Sequence, residues 1–485
     1  MNVIRPPRRQ RAWLRPLLMG LAALAWCLPQ TVRAQPGPWT YEGAVFMAGA
    51  SERALPFWLH TNRYGTIDRN GFNVGTRWGI RRAGRITGRM TYEAGAGVVG
   101  RVSDRSTLYV HELYGRVSNG LFQARAGRYE DAYGMVDPRL SLGSMIWSRN
   151  AAPMPKISVG TEGFLPIPGT RDLVAFSAYV GQGWMARDAY VDRALLHEKY
   201  LYLRVLPPDF PVHATGGVIH NVVWGGDHPI EGELGHGLKD LIRVALAQAG
   251  EDLQFEADNA LGNTVAMYDT RIEIETKPVL VTMYREFYIE TGGGLLFRNA
   301  RDGLWGLRLD FARPFGPFTS LLWEHLYTKQ QSTNKEAGDT PGRANYYNNV
   351  LYRDGWTYHG RTIGMPLLRT DGIRPGVINH LVAGHHAGLA GEIGPDISFL
   401  GYVTYSRNYG AANICGDPDC TTGTSELTDR LDQWSVYLTT TTRMGPHRQL
   451  ALDASIAFDA GPYAPNAFGA ALGVRWAGML GSKKR

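Results

Sequence analysis

Two stretches of the sequence are rich in aromatic, amide and arginine side chains. Sugar rings present flat C–H faces to aromatic rings, sugar hydroxyls pair with amides, and guanidinium groups pair with carboxylates. We therefore predict that the two stretches bind a glycan, the aromatics by stacking and the polar residues by recognising hydroxyls or carboxylates. The alternative is that they form structural aromatics and internal hydrogen-bond networks. The first stretch holds Asn348, Asn349, Tyr352, Trp356, Tyr358 and Arg361, and the second holds Trp58, His60, Asn62 and Tyr64.

Signatures of common catalytic and nucleotide-binding sites are missing from the sequence. It contains no Gly-x-Ser-x-Gly elbow, no His-Glu-x-x-His pair and no phosphate-binding P-loop. His385 and His386 are adjacent, but neighbouring residues of a strand point to opposite faces and could not easily share one metal ion. We therefore expect neither an enzyme nor a metal site, and no cofactor.

The elements that position these residues begin after a secretory leader. Five arginines before residue 16 are followed by an apolar run at residues 17–26 and by the small-x-small sequence Val32-Arg33-Ala34. These are the three parts of a signal peptide. The run is too short for a membrane helix, which needs about 20 apolar residues. We predict a signal peptide at residues 1–34, cleaved near Ala34.

The positive charge of the chain lies mainly in this leader. The sequence has 51 Lys and Arg against 44 Asp and Glu, a net charge of +7, with a pI near 9.2. Six arginines and no acid lie in residues 1–34, so the mature chain has 45 basic and 44 acidic residues, a net charge of +1. Duplex binding uses a basic face, and we therefore expect no nucleic-acid partner.

Beyond the leader, apolar and polar residues alternate with a period of two. A period of two indicates β-strands with one apolar and one polar face. No run of 18 or more apolar residues follows the leader, so helical membrane spans are not expected. The alternation is clear at residues 39–46, 121–126, 198–205, 270–275, 304–311 and 468–476.

A soluble β-sandwich and a membrane barrel both produce this alternation. Fifty-nine glycines, 24 tyrosines and polar faces with charges of both signs favour the barrel. Residues 35–485 show no linker that would separate domains. At roughly 25 residues per strand and connection, the sequence predicts one all-β domain at 35–485, a transmembrane antiparallel β-barrel of about 18 strands.

One segment departs from the strand pattern. Apolar residues recur at helical spacing over 238–249, and glycines flank the segment on both sides. This predicts a short amphipathic helix in a long loop. We expect it to pack on the barrel rim; the alternative is a gate or binding lid.

Two cysteines, Cys415 and Cys420, remain after cleavage of the leader. Four residues separate them, whereas a C-x-x-C redox or zinc pair has two. In an oxidising compartment this spacing favours a disulfide that closes a small loop, with metal binding as the less favoured alternative.

Four segments of the chain resemble the capsule-assembly Wzi-like outer-membrane proteins, in the family's order. They are residues 56–65, residues 195–200, residues 220–226, and residues 346–349 continued by 355–364. The resemblance implies an outer-membrane barrel of about 18 strands that acts as a lectin and holds capsular or extracellular polysaccharide on the cell. It also implies a helical plug ahead of the barrel, whereas residues 39–46 here already alternate like a strand.

Two other functions compete with the lectin. Charged, glycine-rich polar faces would also suit a porin-like diffusion channel in the outer membrane. An outer-membrane enzyme acting on lipid or glycan ranks last, because no catalytic constellation supports it. The expected partners are polysaccharide, outer-membrane lipid and lipopolysaccharide.

Overall fold

The computed structural model describes residues 35–206, 210–248, 261–331, 345–415, 423–445 and 448–480. The predicted signal peptide at residues 1–34 lies outside the described residues. The predicted disulfide does as well, because the side chain of Cys415 and the whole of Cys420 are not among them. Both therefore stay predictions.

Strands dominate the structure, and all six segments with clear alternation lie in strands, except for the single residue Leu121 at the start of one of them. Three short helices accompany them: α1 (Phe57–His60), α2 (Leu238–Leu246) and α3 (Gly292–Leu295). The strands are β1 (Gln35–Ala54), β2 (Asn70–Thr87), β3 (Met90–Val102), β4 (Thr107–Ser118), β5 (Phe122–Arg128), β6 (Pro155–Thr161), β7 (Leu165–Pro166), β8 (Val174–Trp184), β9 (Leu195–Val205), β10 (Val212–Trp224), β11 (Gly226–His228), β12 (Gly232–Leu234), β13 (Asn263–Glu275), β14 (Val279–Ile289), β15 (Gly303–Phe315), β16 (Phe318–Tyr327), β17 (Thr357–Tyr358), β18 (Arg361–Thr362), β19 (Val382–Ile393), β20 (Ile397–Cys415), β21 (Gly423–Met444), β22 (Leu450–Ala460) and β23 (Ala467–Leu480).

Nineteen of these strands form one antiparallel sheet that closes on itself, because β1 pairs with both β2 and β23. Both β6 and β7 pair with β8, so they share one position in the wall. The barrel therefore has 18 positions, which confirms the predicted fold and strand number. The hairpins β11–β12 and β17–β18 lie apart from the wall.

The outside of the barrel is apolar and exposed, and the inside is polar and packed. Trp305, Trp323 and Trp434 face outward with exposed fractions of 40%, 46% and 49%. On β9, Leu201 is exposed while its inward neighbour Tyr202 is buried. An apolar exterior around a polar interior is what a lipid-embedded barrel requires. No helix among the described residues is long and apolar enough to cross a membrane.

The two ends of the barrel differ in the length of their connections. One end has short turns, such as residues 88–89, 276–278, 316–317 and 394–396. Outer-membrane barrels have short periplasmic turns and longer extracellular loops, which places the opposite end outside the cell. That end carries the long connections 55–69, 129–154, 185–194, 225–262, 290–302 and 328–381.

Parts of three extracellular connections fold back into the barrel and fill it. These segments, residues 55–69, 129–154 and 345–370, are called the loop plug below. Leu140, Met145, Tyr346 and Tyr347 of the plug have no exposed surface. Because β1 begins at Gln35, no helix precedes the barrel within the described chain. The loop plug occupies the lumen where the family resemblance implied a helical plug.

Carboxylates of the inner wall hold one plug segment by its backbone. Asp269, Glu286 and Glu324 project inward from β13, β14 and β16 and are fully buried. A buried backbone N–H that lacks an acceptor costs free energy, so the carboxyl acceptors at three wall positions fix residues 129–154. The three acids accept the backbone N–H of Met135 at 2.8 Å, Met145 at 2.6 Å and Leu142 at 2.8 Å, respectively.

Glycines opposite two tyrosines let the rings lie across the neighbouring strand. A Cβ atom on Gly306 would lie 2.1 Å from the ring of Tyr284, its cross-strand partner. The Tyr284 hydroxyl then reaches Glu324 and donates to Oε1 at 2.5 Å. Gly217 and Tyr202 repeat the arrangement on β10 and β9. These glycines are therefore needed where the wall meets the plug.

Helix α2 begins at Leu238, as predicted, and ends at Leu246, before the predicted residue 249. Ala247 ends the helix in the left-handed conformation, with a φ of 53°. The helix packs on the outside of the wall, where Val244 contacts the outward-facing Val222 and Trp224. The structure therefore shows packing against the barrel rather than a lid over the lumen.

Candidate functional site

The segment 345–361 lies within the plug, and Trp356 is its anchor. Trp356 has no exposed surface, and its Nε1 donates to the carbonyl of Ile146 at 2.7 Å. Its ring lies edge-on to Trp147, with ring centroids 6.4 Å apart. The indole therefore joins segment 345–361 to segment 129–154, and its faces are covered by protein.

The amides of the same segment are also bonded internally. Asn348 donates to the carbonyl of Val377 at 2.9 Å and accepts from the backbone N–H of Val377 at 2.7 Å. The half-buried Asn349 accepts from the backbone N–H groups of Leu351 and Tyr352. Both side chains shape the backbone, as Asn commonly does in turns.

Arg361 joins the two predicted stretches to each other. Its guanidinium donates to the carbonyls of His60 at 2.9 Å and Ile67 at 2.6 Å. Arg69 makes the reverse connection and donates to the carbonyls of Gly360 at 3.0 Å and Thr370 at 2.8 Å. Burial, followed by the charge of Arg69, lowers the pKa of Arg361 to about 9. Two guanidinium groups thus hold residues 55–69 against residues 360–370.

The second predicted stretch supplies further contacts between plug and wall. Trp58 Nε1 donates to the Thr404 hydroxyl at 3.0 Å, and Asn62 Nδ2 donates to the carbonyl of Leu142 at 2.8 Å. Tyr64 is half-buried, and its backbone N–H donates to the carbonyl of Arg149 at 2.6 Å. The structure therefore brings both predicted stretches together, mainly as packed parts of the plug.

The surface above Trp356 carries side chains that sequence reasoning missed. We call Asp188, Tyr190, Arg353, Asp354 and His359 the rim patch. The guanidinium of Arg353 lies 5.8 Å from the centroid of the Tyr190 ring. The backbone N–H of Tyr190 donates to the carboxylate of Asp354, and His359 Nδ1 lies 3.7 Å from Asp188 Oδ1. An aromatic ring beside carboxylates, a guanidinium and an imidazole can bind a polar ligand that has flat apolar faces.

Exposure separates the rim patch from the residues below it. The side chains of His359 and Asp188 have exposed fractions of 48% and 76%, whereas Tyr352 and Tyr358 are buried at 4% and 3%. Two extracellular loops, 185–194 and 353–359, supply the patch. Segment 353–359 thus turns His359 outward and its large aromatics inward. The only sequence signal for Tyr190 was an aromatic among charged residues in an otherwise unpatterned loop.

Another missed group lies where the plug meets the wall. Lys156 is 1% exposed and places its Nζ 3.0 Å from Asp131 and 3.1 Å from Glu198. The same ammonium lies 4.3 Å from the centroid of the Trp147 ring. The buried charge therefore ties segment 129–154 to the wall strand β9, and the inward position of Glu198 in the alternating pattern was its sequence signal.

Within the described residues, no group of three or more His, Cys, Asp or Glu side chains could hold a metal ion. His386 faces inward, with Nε2 2.7 Å from the carbonyl oxygen of Leu140, and His385 is exposed on the other face. The two imidazoles thus point to opposite faces, as the alternation predicted.

The comparisons with known proteins identify the family. No curated protein matches the chain. The family described as capsule assembly protein Wzi matches residues 58–370, which is more than half of the chain and includes both predicted stretches. The chain belongs to the Wzi capsule-assembly family. Capsule assembly is therefore the process in which this Wzi-family barrel acts.

One solved structure shares the fold of this chain. The Wzi outer-membrane protein of Escherichia coli, described as a carbohydrate-binding β-barrel involved in group 1 capsule assembly, is 13% identical. The match covers 95% of this chain and 87% of that chain, with a TM-score of 0.59. Pseudomonas aeruginosa OpdL and OpdQ are each 9% identical, with 91% of this chain and 99% of theirs covered and TM-scores of 0.48.

The family and the apolar exterior together place this Wzi-family barrel in the outer membrane of a Gram-negative bacterium, as predicted. Its extracellular end, with the rim patch, then faces the medium in which the capsule lies.

Proposed function

We propose that this Wzi-family barrel is a lectin that holds capsular or extracellular polysaccharide at the cell surface through the rim patch. The observation that carries the proposal is an exposed patch built on a fixed scaffold, with Trp356 and Arg361 bonded beneath it. A rigid surface loses little conformational entropy when it binds a ligand. The carbohydrate binding described for the E. coli Wzi protein supports the same ligand class.

The predicted glycan residues take two roles in this proposal. Asn349 is half-buried and would contact sugar together with Arg353 of the rim patch, which was not among the predicted residues. Asn348, Tyr352, Trp356, Tyr358 and Arg361 would position the patch, and Trp58, His60, Asn62 and Tyr64 would support it from below. Sugar recognition then depends on the first group of residues, and the stability of the binding surface depends on the others.

Holding a polysaccharide fits the structure better than passing one. The plug fills the extracellular half of the lumen with side chains that have almost no exposed surface, including Leu142, Ile146 and Trp356. A diffusion channel needs a continuous aqueous path. The rim patch also offers contacts for sugar hydroxyls.

Lipid and lipopolysaccharide are proposed as the surrounding partners. Leu238, Ile242 and Leu246 of α2 form one stripe with exposed fractions of 68%, 51% and 62%. The helix lies on the outside of the wall, and Lys199 donates from Nζ to the carbonyl of Ala245 at 2.5 Å. The stripe thus extends the apolar exterior near the extracellular end, where acyl chains would cover it.

The proposal is tested by retention of polysaccharide on cells. In a strain that lacks the gene, we expect polysaccharide to be made but released into the medium, and wild-type protein to restore retention. The double variant Tyr190→Ala with Arg353→Ala should bind purified polysaccharide at least about tenfold more weakly, because it loses a stacking surface and charged hydrogen bonds. It should restore retention poorly.

The matched control is Arg105→Ala, an exposed arginine on another extracellular loop, which should behave like wild type. Heat-modifiable mobility on gels should be unchanged in all variants. If deletion of the gene leaves cell-associated polysaccharide unchanged, retention is the wrong function. If deletion of the gene releases polysaccharide but the rim-patch variant restores retention like wild type, the function stands and the site is wrong.

A further inference from the structure

A cavity of about 560 Å³ lies inside the barrel, below the plug. Helix α1 contacts the wall at Thr404 and Asp459, while the cavity is lined by Tyr402, Asp453 and Ser455 of the same strands. Because β20 and β22 run from the short-turn end towards the long-loop end, the cavity lies on the periplasmic side of α1. We call it the lumen cavity.

Solvent reaches the lumen cavity from the periplasmic end. Glu42 and Arg81 project inward from β1 and β2 closer to the short turns, and their side chains are 43% and 41% exposed. Ala48 and Asn73, inward residues of the same strands nearer the extracellular end, are 2% and 0% exposed. Exposure of inward residues thus rises towards the periplasm, and the plug separates this cavity from the rim patch.

The cavity wall has an excess of positive charge. Five arginines and two acids line it. Both acids are already paired: Glu130 lies 2.6 Å from Arg77, and Asp453 lies 2.5 Å from Arg475. These pairs cancel, so the remaining arginines give the cavity three positive charges without a counterion from its own wall.

The three remaining arginines are Arg63, Arg139 and Arg149, which line the cavity without forming an ion pair within the described chain. Arg63 donates to the hydroxyl of Tyr437 at 2.6 Å. Guanidinium groups match carboxylates and phosphates in geometry and bind them through paired hydrogen bonds. Three such groups without carboxylate partners in one enclosed space favour an anionic ligand.

The remaining lining suits a sugar. Tyr402 and Tyr437 stack with ring centroids 5.3 Å apart and line the cavity beside Trp58. Hydroxyl side chains, including Thr439 and Thr441, face the same space. The volume lies within the range of about 300–1,000 Å³ that is usual for small-ligand sites, where a few polar groups set orientation among aromatic side chains.

We propose that the lumen cavity is a second saccharide site, open to the periplasm and specific for a short acidic saccharide. Its carboxylate or phosphate binds Arg63, Arg139 and Arg149, and its hydroxyls bind Thr439 and Thr441. This site does not depend on surface retention by the rim patch, because the plug lies between the two.

The test uses the full chain purified in detergent and calorimetric titration. The probes are trigalacturonate, the neutral maltotriose as a size-matched control, and inorganic phosphate. We expect trigalacturonate to bind, maltotriose to bind at least about tenfold more weakly, and phosphate to be a weak competitor. Arg149→Gln and Arg63→Gln should each weaken trigalacturonate binding by about tenfold or more. Arg105→Gln should have no effect.

Three results would overturn the proposal. Equal affinity of wild type and Arg149→Gln for trigalacturonate shows that the cavity arginines do not bind it. Phosphate binding as tight as trigalacturonate binding shows a site for an inorganic anion only. Loss of binding in the Tyr190→Ala, Arg353→Ala variant but not in Arg149→Gln assigns the acidic saccharide to the rim patch. Unchanged heat-modifiable mobility confirms that each variant is folded.

Discussion

The plug can be released by one substitution, Trp356→Ala. The side chain has no exposed surface, donates to Ile146 at 2.7 Å and contacts Trp147. Truncation of a buried Trp to Ala costs about 3–5 kcal/mol, which raises the population of the detached plug by roughly two to three and a half orders of magnitude at 1.4 kcal/mol per factor of ten. Its hydrogen-bond partner Ile146 and its ring partner Trp147 lie in the plug rather than in the wall, so the barrel should remain folded.

Planar-bilayer conductance is the assay for this prediction. The wild-type barrel should show little conductance, because packed side chains fill the extracellular half of the lumen. Trp356→Ala should show frequent openings, since a detached segment 345–361 exposes an aqueous path. Trp323→Ala, which removes an indole that is 46% exposed on the outside of the wall, is the matched control and should stay closed.

Equal conductance of Trp356→Ala and wild type would refute the reasoning that this indole locks the plug. A wild-type barrel with large steady openings would refute the closure itself and favour the diffusion channel. Heat-modifiable mobility on gels distinguishes release of the plug from loss of the barrel, because only an intact barrel migrates differently before and after boiling.

Three further predictions concern the loops. Glu324→Gln should weaken the attachment of residues 129–154 by about 1.5–3 kcal/mol, since Glu324 accepts hydrogen bonds from Leu142, Ser141 and Tyr284. Faster hydrogen exchange at 134–145 would show the weaker attachment, and unchanged exchange would contradict the prediction. Glu426→Gln, at an exposed ion pair, is the control. Burial, followed by the charges of Arg361 and Arg69, holds the pKa of His60 well below 6.5, so the unfolded loop takes up a proton before the folded one. The contribution of a neutral His60 is therefore complete above about pH 6.5 and is lost as the pH falls. The protection of the amides of 55–69 against hydrogen exchange, corrected for the intrinsic exchange rate at each pH, should therefore decrease on acidification, and a His60→Gln variant with the same pH dependence would contradict this. Intact mass with and without reductant should reveal the Cys415–Cys420 disulfide, and two free thiols would exclude it.

The barrel could be predicted because the pattern that specifies each strand lies within a few consecutive residues of the sequence. In residues 198–205, alternate side chains point to lipid and lumen, so a period of two in the sequence becomes a strand with two different faces. The strand number followed from chain length. Closure of the barrel depends on pairing between the first and last strands, and its orientation in the membrane follows from the loop lengths. The alternation of apolar and polar residues encodes neither property.

The candidate site was only partly predictable, for a physical reason. The residues around Trp356 in the sequence do not distinguish an indole that stacks on a sugar from one that packs against Trp147. Its actual partner, Ile146, lies 210 residues away in the chain, and segment 129–154 has no periodicity that would reveal its place inside the lumen. Sequence reasoning therefore identified two segments that meet in the plug and could not assign which of their faces is exposed.

The plug and the rim patch share segment 353–359, and this distinguishes a polysaccharide-binding protein from a channel. Segment 353–359 carries His359 outward and Trp356 inward, so a substitution that detaches it both opens the lumen and disorders the patch. In a lectin, conductance and polysaccharide retention should therefore change in opposite directions across plug variants. In a channel gated by the plug, opening would increase flux while leaving retention unaffected. Measurement of both properties on Trp356→Ala and Glu324→Gln would separate the two functions even before the glycan is identified.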